Sequence, residues 1–247
     1  MDFNPTERFS SRADAYVRGR PAYPRHMLKV LELECGLRPE WRAADIGSGT
    51  GLLARMFLDY GCEVFGVEPN PQMRAAGERE LSGYAKFHSV DGRAETTGLE
   101  SGSVDLVTAG QAFHWFEPHA ARAEFHRILK PRGWAALVWN ERVVLPGFMA
   151  EYEALQDRFA RERPHPSEAE FTAFFPHGWR LSTVENATDI DEEALFARMA
   201  SSSWAPKQDD AGYPEMVAEL RRLFQEYSQN GRLRMIYETR IYHGRLD

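Results

Sequence analysis

The chain has 247 residues, of which 43% are hydrophobic and 27% are charged, and these values exclude a disordered or fibrous protein. Its 37 acidic side chains outnumber 30 basic ones, and the net charge of −7 disfavours nucleic acid as a partner because phosphate-binding surfaces are usually basic. No apolar segment is long enough to span a bilayer, and the polar N-terminus has no signal-peptide core, so we expect a cytoplasmic protein without a membrane partner.

In chain order, the first predicted elements are a polar arm with helical character, residues 1–20, and a helix. The helix is predicted over residues 23–36, YPRHMLKVLELECG, because Pro24 suits a first turn, apolar residues recur at helical spacing and Gly36 suits the end. Both belong to an N-terminal region, residues 1–41. The length alone allows one domain or two, and we expect the chain to be a single α/β domain.

Between residues 42 and 142, short apolar segments alternate with longer amphipathic ones. The predicted strands are RAADIG, EVFGVEP, AKFHSVD, SVDLVTAG and WAALVWN, and the predicted helices among them are GLLARMFLDYG, PQMRAAGERELSG and PHAARAEFHRILKPRG. Strands that are apolar throughout and separated by helices indicate βαβ units around a parallel sheet that is covered on both faces. The predicted fold class is therefore α/β, with a Rossmann-like cofactor-binding core at 42–142.

After Asn140 this alternation stops. Residues 143–215 are predicted to be a helical insertion or lid that forms the substrate wall, with helices at 146–163 and 191–203. Residues 216–247 are predicted to hold the rest of a helix that begins at Tyr213 and a strand at 234–244, because aromatic and β-branched residues are typical of strands.

The segment DIGSGTG, residues 45–51, places Gly47, Gly49 and Gly51 between the first strand and the helix that follows it. This is the carboxyl edge of the sheet, where open α/β sheets bind ligands. Glu68 ends the next strand, 21 residues after Gly47, a separation that suits a carboxylate accepting hydrogen bonds from both ribose hydroxyls. The alternative is that Glu68 is a surface acid at a strand end.

The glycine spacing and Asp45 together indicate which nucleotide-like ligand binds. The spacing is GxGxG, whereas the dinucleotide fingerprint is GxGxxG, and the carboxylate of Asp45 would oppose a pyrophosphate. S-adenosylmethionine carries an ammonium, a sulfonium and no phosphate, so it is favoured over a nicotinamide dinucleotide, which would make the chain an oxidoreductase. An Asp before a glycine turn also commonly bonds loop amides, and that role is compatible with the first.

Four motifs in a fixed order carry a family resemblance. AADIGSGTG with Glu68, GRAE at 92–95, SVDLVTAGQAFHWF and RILKPRGWAALVWN resemble the class I S-adenosylmethionine-dependent methyltransferases. AFHWF and AYVRGRPAYP are most similar to the small-molecule branch that includes trans-aconitate methyltransferase-like proteins. The resemblance implies a seven-stranded, mostly parallel sheet whose last strand is antiparallel. It also implies methyl transfer to oxygen, nitrogen or carbon of a small molecule, with an acidic metabolite as a candidate.

The resemblance also implies roles position by position. Asp45 and the three glycines would hold the methionine part of the cofactor, and Glu68 would hold the ribose. The residues implied at the adenosine are Asn70, Met73, Gly92, Ala94 and Glu95. Many relatives have an acid before the Ala of GRAE, where this chain has Arg93, so the adenine contact falls either to Glu95 or to backbone groups. The predicted cofactor contacts also include Tyr16, Arg20 and Gln111.

Arg20 directly precedes Pro21, which biases it away from helix and leaves its guanidinium free to point inward. There it would pair bidentately with a carboxylate, either that of the cofactor or that of an acidic acceptor. We therefore predict that the N-terminal arm is a lid that is ordered when the cofactor is bound.

His114, which follows the fourth strand, is the candidate general base, and Trp115 and Asn140 are candidate substrate contacts. The alternative for His114 is that it orders its loop, because methyl transfer often needs only positioning. The histidines and the two isolated cysteines lack metal-ligand spacing, so no metal is predicted. Since no indispensable catalytic residue can be named, a module that binds the cofactor without transferring its methyl group is the alternative from another class.

Overall fold

The computed structural model describes residues 19–159, 165–202 and 205–247, and seven strands in this part of the chain form one sheet of order β3-β2-β1-β4-β5-β7-β6. The strands are β1 (Arg42–Ile46), β2 (Glu63–Val67), β3 (Phe87–Val90), β4 (Val104–Gly110), β5 (Leu129–Arg142), β6 (Arg180–Ile190) and β7 (Leu233–Gly244). Strands β1 to β5 pair in parallel, and β7 is antiparallel to both β5 and β6. The predicted seven-stranded, mostly parallel sheet with an antiparallel last strand is confirmed.

Eight α-helices lie among the described residues. They are α1 (His26–Cys35), α2 (Leu52–Tyr60), α3 (Pro71–Glu80), α4 (Pro118–Ile128), α5 (Phe148–Phe159), α6 (Glu168–Phe174), α7 (Glu192–Ala200) and α8 (Tyr213–Tyr227). A short 3₁₀ helix spans Phe113–Trp115. None of the helices in these described ranges has the length and apolar content that crossing a membrane requires.

The sheet is covered on both faces because neighbouring residues of each central strand point to opposite sides. In β1, Ala43 belongs to the apolar cluster that packs α1 and α2, whereas Ala44 belongs to the cluster on the other face, which includes α4 and α6. A third cluster joins α5, α7 and α8 to the first half of β7. This arrangement leaves the carboxyl ends of β1, β2, β4 and β5 as the edge at which loops can form a site.

The segment predicted as a helical insertion, 143–215, is not wholly helical. It contains the strand β6, which pairs with β7 over eleven positions, from Arg180 opposite His243 to Ile190 opposite Leu233. The sequence RLSTVENATDI has few apolar residues because β6 is an edge strand with alternately exposed positions. Backbone pairing to β7 determines the position of β6. The sequence of β6 therefore lacks the hydrophobic pattern from which a strand is predicted.

One boundary inside the core also differs from prediction. The helix predicted over 118–133 ends at Ile128, and Leu129 already begins β5, five residues before the predicted strand at Trp134. The pairing of β4 with β5 shifts register between Val104 and Leu106, and Arg132 adopts a left-handed φ of 64°. The start of β5 therefore bulges, and a bulge breaks the period on which strand prediction depends.

Candidate active site

The loop between β1 and α2 needs its glycines for conformational reasons. Gly47, Gly49 and Gly51 have φ values of 69°, 56° and 83°, which lie in the left-handed region that residues with a Cβ rarely adopt. A Cβ added to Gly47 would also lie 2.8 Å from the Cβ of Ala112. The amide of Gly47 donates to the carbonyl of Val67 at 2.8 Å, so the loop folds back onto the end of β2.

Asp45 lies at the carboxyl end of β1 with 1% of its surface exposed. Neither carboxylate oxygen has a hydrogen-bond partner, so the alternative that Asp45 bonds loop amides is wrong for this structure. Burial raises the pKa of Asp45 to about 8, and the Glu68 carboxylate adds to the rise, while the nearby Ala54 amide opposes it. A buried carboxylate without donors favours a cationic ligand group beside it.

Glu68 is buried, with 8% of its surface exposed, so the alternative that it is a surface acid is wrong. Its Oε2 accepts a hydrogen bond from the Gly49 amide at 2.9 Å, and its Oε1 accepts one from the Asn70 amide at 2.8 Å. Burial raises its pKa, and these two amides work against that rise. A carboxylate has about four acceptor positions, so Glu68 can fix the loop and still accept two hydroxyl donors.

Asn70 and Met73 lie at the start of α3. The Oδ1 of Asn70 accepts hydrogen bonds from the amides of Gln72 and Met73, both at 3.0 Å, which makes Asn70 the N-cap of the helix. Both side chains are buried, Asn70 with 2% and Met73 with 5% of the surface exposed. Their contact with adenosine stays a prediction.

The GRAE motif, 92–95, forms a tight turn after β3. The backbones of Arg93 and Thr96 exchange hydrogen bonds of 3.0 and 3.1 Å, and a Cβ on Gly92 would lie 2.5 Å from the carbonyl oxygen of Thr97. The glycine is therefore required for the turn, and Arg93 is exposed on it.

The second half of this turn connects it to α4. Ala94 is buried in the core with 5% of its surface exposed. The Oε1 of Glu95 accepts a hydrogen bond from the amide of Glu117, the N-cap of α4, at 2.9 Å. In this structure Glu95 thus braces the neighbouring loop, and its adenine contact stays a prediction.

A cavity of about 390 Å³, open to solvent, lies over the glycine loop, and we refer to it as the loop cavity. It is lined by Arg20, Pro21, Tyr23, Asp45, Gly47, Ser48, Leu52, Leu53, Gly110, Gln111 and Asn140. Gln111 has a left-handed φ of 56°, which a residue with a side chain adopts only where its surroundings hold it. Its amide donates to the carbonyl of Val138 at 2.9 Å and its Nε2 donates to that of Asn140 at 3.2 Å.

A second cavity of about 750 Å³, which we call the polar cavity, adjoins the first. Arg20, Pro21, Gln111 and Asn140 line both cavities. The remaining lining residues are Trp139, Glu141, Arg142, Tyr152, Gln156, His165, Arg198, Ser201, Ser202 and Tyr237.

Asn140, predicted as a substrate contact, ties three strands to the segment 19–23. Its Oδ1 accepts hydrogen bonds from Thr239 at 2.5 Å and from Asn186 at 3.1 Å, and its Nδ2 donates to the carbonyls of Pro21 and Ala22 at 3.4 and 3.5 Å. The side chain is 7% exposed and lines both cavities. Its bonds brace the wall, and substrate contact stays a prediction.

The 3₁₀ helix holds His114 and Trp115, whose ring centroids are 4.7 Å apart. The Nδ1 of His114 is buried without a hydrogen-bond partner. Burial, with Arg20 and His165 nearby, lowers the pKa of His114 to about 4, so the ring is neutral at physiological pH. Neither residue lines the loop cavity or the polar cavity, and their catalytic and substrate roles stay predictions.

The predicted contacts from the N-terminal arm are described in part. Tyr16 and most of the predicted lid lie outside the described residues, which begin at Gly19. Arg20 lines both cavities, and its Nη2 donates to the carbonyl of Ser201 at 3.4 Å.

The polar-cavity residues of α5 and α7 are the part of the site that sequence reasoning missed. One signal was available. Leu195, Arg198 and Met199 are the buried residues of α7, at the i, i+3, i+4 spacing of a core-facing stripe. An arginine within such a stripe indicates a buried cation, and buried cations need a partner or a function.

Comparisons with known proteins agree with this geometry. The model of the methyltransferase domain family matches residues 44–137. An uncharacterized methyltransferase of Mycobacterium tuberculosis is 37% identical over 208 residues, which are 79% of this chain and 76% of the relative. Within the described ranges, no group of three or more His, Cys, Asp or Glu side chains is placed to hold a metal ion.

Two solved structures share the fold. A protein from Anaeromyxobacter dehalogenans assigned as a type II methyltransferase has a TM-score of 0.70 at 23% identity, over 92% of this chain and 98% of that one. Phosphoethanolamine N-methyltransferase 2 of Haemonchus contortus, solved with phosphomonomethylethanolamine and S-adenosylhomocysteine, has a TM-score of 0.58 at 15% identity, over 98% of this chain and 60% of that one.

Proposed function

Because the chain belongs to the S-adenosylmethionine-dependent methyltransferases, we propose that it transfers the cofactor's methyl group to a small acidic molecule bound in the polar cavity. The observation that carries this proposal is the shared wall of the two cavities, which would bring a cofactor over the glycine loop next to an acceptor. The oxidoreductase alternative is wrong for a member of this family. The test is formation of S-adenosylhomocysteine from S-adenosylmethionine with a panel of small carboxylic acids and phosphate esters.

The residues in and around the glycine loop fit this cofactor. Asp45 offers an unpaired buried carboxylate for the ammonium of the methionine part, and Gly47 and Gly49 leave the backbone open to close approach. Glu68 has two acceptor positions left for the ribose hydroxyls. When bound, the cofactor supplies a methyl group activated by its sulfonium.

The role of the protein in this proposal is positioning. Gln111 and Asn140 stand on the wall between the cavities and are fixed by hydrogen bonds to each other and to the neighbouring strands. A rigid wall of this kind holds an acceptor in line with the group that it attacks, which can supply a large share of a rate enhancement. The adenosine contacts that complete the proposal are Asn70, Met73, Gly92, Ala94 and Glu95.

The first prediction concerns ligand choice. Purified protein is expected to bind S-adenosylhomocysteine in a calorimetric titration and to show no measurable binding of NAD or NADP under the same conditions. The reason is that Asp45 is buried next to the glycine loop, where its carboxyl group can ionise to pair with an ammonium but offers no positive charge to a pyrophosphate. Preferential binding of a dinucleotide would overturn the assignment of the loop cavity.

The second prediction concerns His114. His114→Gln is expected to lower turnover less than tenfold, because the ring lines neither cavity and its pKa of about 4 makes it a weak base. A pKa of about 4 also means that the activity profile has no limb near pH 6.5 from this residue. A fall of ~10²–10⁴ at unchanged melting temperature would instead identify His114 as the base. His119→Gln, an exposed histidine on α4, is the matched control.

A further inference from the structure

The polar cavity contains a buried arginine without a carboxylate partner among the described residues. Arg198, with 8% of its surface exposed, donates from Nε to the carbonyl of Gly19 at 2.6 Å and from Nη1 to the Met235 sulfur at 3.0 Å and to the Tyr237 hydroxyl. All three acceptors are uncharged. The described residues offer no acceptor to Nη2, so the guanidinium keeps both a positive charge and donor capacity.

The other charges around the polar cavity are matched in pairs. Arg142 pairs with Glu153 at 2.7 Å, and His165 pairs with Glu141 at 3.2 Å. Arg142 therefore has a carboxylate beside it, whereas Arg198 has none among the described residues. Arg198 thus places a buried positive charge without a countercharge on the wall of this cavity, although the whole chain carries a net charge of −7. A buried charge of this kind is unfavourable unless an opposite charge joins it.

Gln156 provides an independent second observation. This α5 side chain lines the same cavity with 2% of its surface exposed, and its Nε2 has no hydrogen-bond partner. An amide nitrogen can only donate. Gln156 and Arg198 thus come from different helices and present the same requirement, which is an acceptor oxygen from a ligand.

We propose that Arg198 and Gln156 form an oxyanion anchor that binds a carboxylate or phosphate group of the methyl acceptor. This inference rests on the proposed function, and it goes further by naming the side chains that select the acceptor. The positive charge of the guanidinium suits either oxyanion, and its remaining Nη2 group can donate to an oxygen of a carboxylate or a phosphate. The neutral amide of Gln156 adds a donor without adding a charge. Neutral amide analogues of the same shape keep acceptor oxygens but bring no charge to pair with the guanidinium, so they bind far more weakly.

The test is calorimetric titration of the whole chain saturated with S-adenosylhomocysteine. The probes are succinate, inorganic phosphate and, as a neutral match for succinate, succinamide. Wild-type protein is expected to bind at least one of the two anions at one site and not to bind succinamide. Arg198→Gln and Gln156→Leu are each expected to weaken anion binding tenfold or more, with affinity for S-adenosylhomocysteine unchanged. Arg234→Gln, which removes an exposed arginine on β7, is the charge-matched control and should bind like wild type.

Gln156→Leu keeps the test decisive if Arg198→Gln fails to fold, since Arg198 also holds Gly19. Removing an unpaired buried amide is expected to preserve or raise the melting temperature. Stronger binding of phosphate supports a phosphorylated acceptor, and stronger binding of succinate supports a carboxylic acid. The anchor is wrong if wild type binds neither anion, or if Gln156→Leu binds them unchanged. Failure of S-adenosylhomocysteine to bind is a separate readout, and it would refute the proposed function instead.

Discussion

Replacing Asp45 by asparagine is expected to weaken S-adenosylhomocysteine binding by about tenfold or more while stabilising the cofactor-free fold. A hydrogen bond to a charged group contributes ~1.5–3 kcal/mol, and the substitution removes the charge that would meet the ammonium of the ligand. The same charge is unfavourable in the free protein, because neither oxygen has a donor at 1% exposure. Calorimetry and thermal denaturation of the two proteins check both halves of this expectation.

The stability difference between Asp45→Asn and wild type is expected to depend on pH. The pKa of Asp45 is about 8 in the folded chain, whereas an unfolded Asp titrates near ~3.9. Between these two pH values the folded chain carries a proton on Asp45 that the unfolded chain has lost. Its contribution to stability is full below pH ~4 and is lost as the pH rises toward 8. The free energy of unfolding of Asp45→Asn, relative to that of wild type, should therefore rise by about 1 kcal/mol per pH unit across that window. Above the window the difference should be constant. The free energy of unfolding of both proteins is measured by urea titration at pH 5, 6.5 and 8. The same change with pH in both proteins would contradict the assignment.

Replacing Glu68 by alanine is expected to weaken S-adenosylhomocysteine binding by at least about tenfold and also to lower the melting temperature. The first effect comes from losing one or two charge-assisted hydrogen bonds to the ribose, each of ~1.5–3 kcal/mol. The second comes from the amides of Gly49 and Asn70, which lose their acceptor. Binding is measured by calorimetry below the melting transition, so that the two effects are separated.

A glutamate at the other end of the same strand provides the control. Glu63 begins β2 and forms a surface ion pair with Arg42 at 2.9 Å, away from the glycine loop. Glu63→Ala should bind S-adenosylhomocysteine like wild type, because an exposed ion pair contributes little to stability. If Glu68→Ala also binds like wild type, Glu68 supports the loop and does not touch the ligand.

The predictable part of the fold is the part that is buried on both faces. Strands β1, β2 and β4 are short, apolar and bounded by helices, so hydrophobic periodicity is sufficient to locate them. Strand β6 was missed because its exposed edge is polar, and the start of β5 because Arg132 lies in a bulge. In both cases backbone pairing to a neighbouring strand determines the structure, and the local sequence does not record that pairing.

The candidate site divides in the same way. Asp45 and Glu68 were predictable because the order of strands and loops fixes where a carboxylate at a strand end must lie. Arg198 and Gln156 were not, since they line one cavity from α7 and α5, which are distant in sequence. Asn140 shows a further limit: its position was predicted, but only the structure shows that its hydrogen bonds brace the wall.

Two carbonyl oxygens of the segment 19–23, which contributes Arg20 and Pro21 to both cavities, accept hydrogen bonds from buried or half-buried side chains. Arg198 binds that of Gly19, and Asn140 and Asn186 bind that of Ala22. Every residue has a backbone carbonyl, whatever its side chain, so these contacts do not depend on which side chains the segment carries. Gly19 is the exception, since a Cβ there would lie 2.5 Å from the backbone of α7. We therefore expect that a substitution at position 20 changes the lining of both cavities and leaves the path of this segment intact.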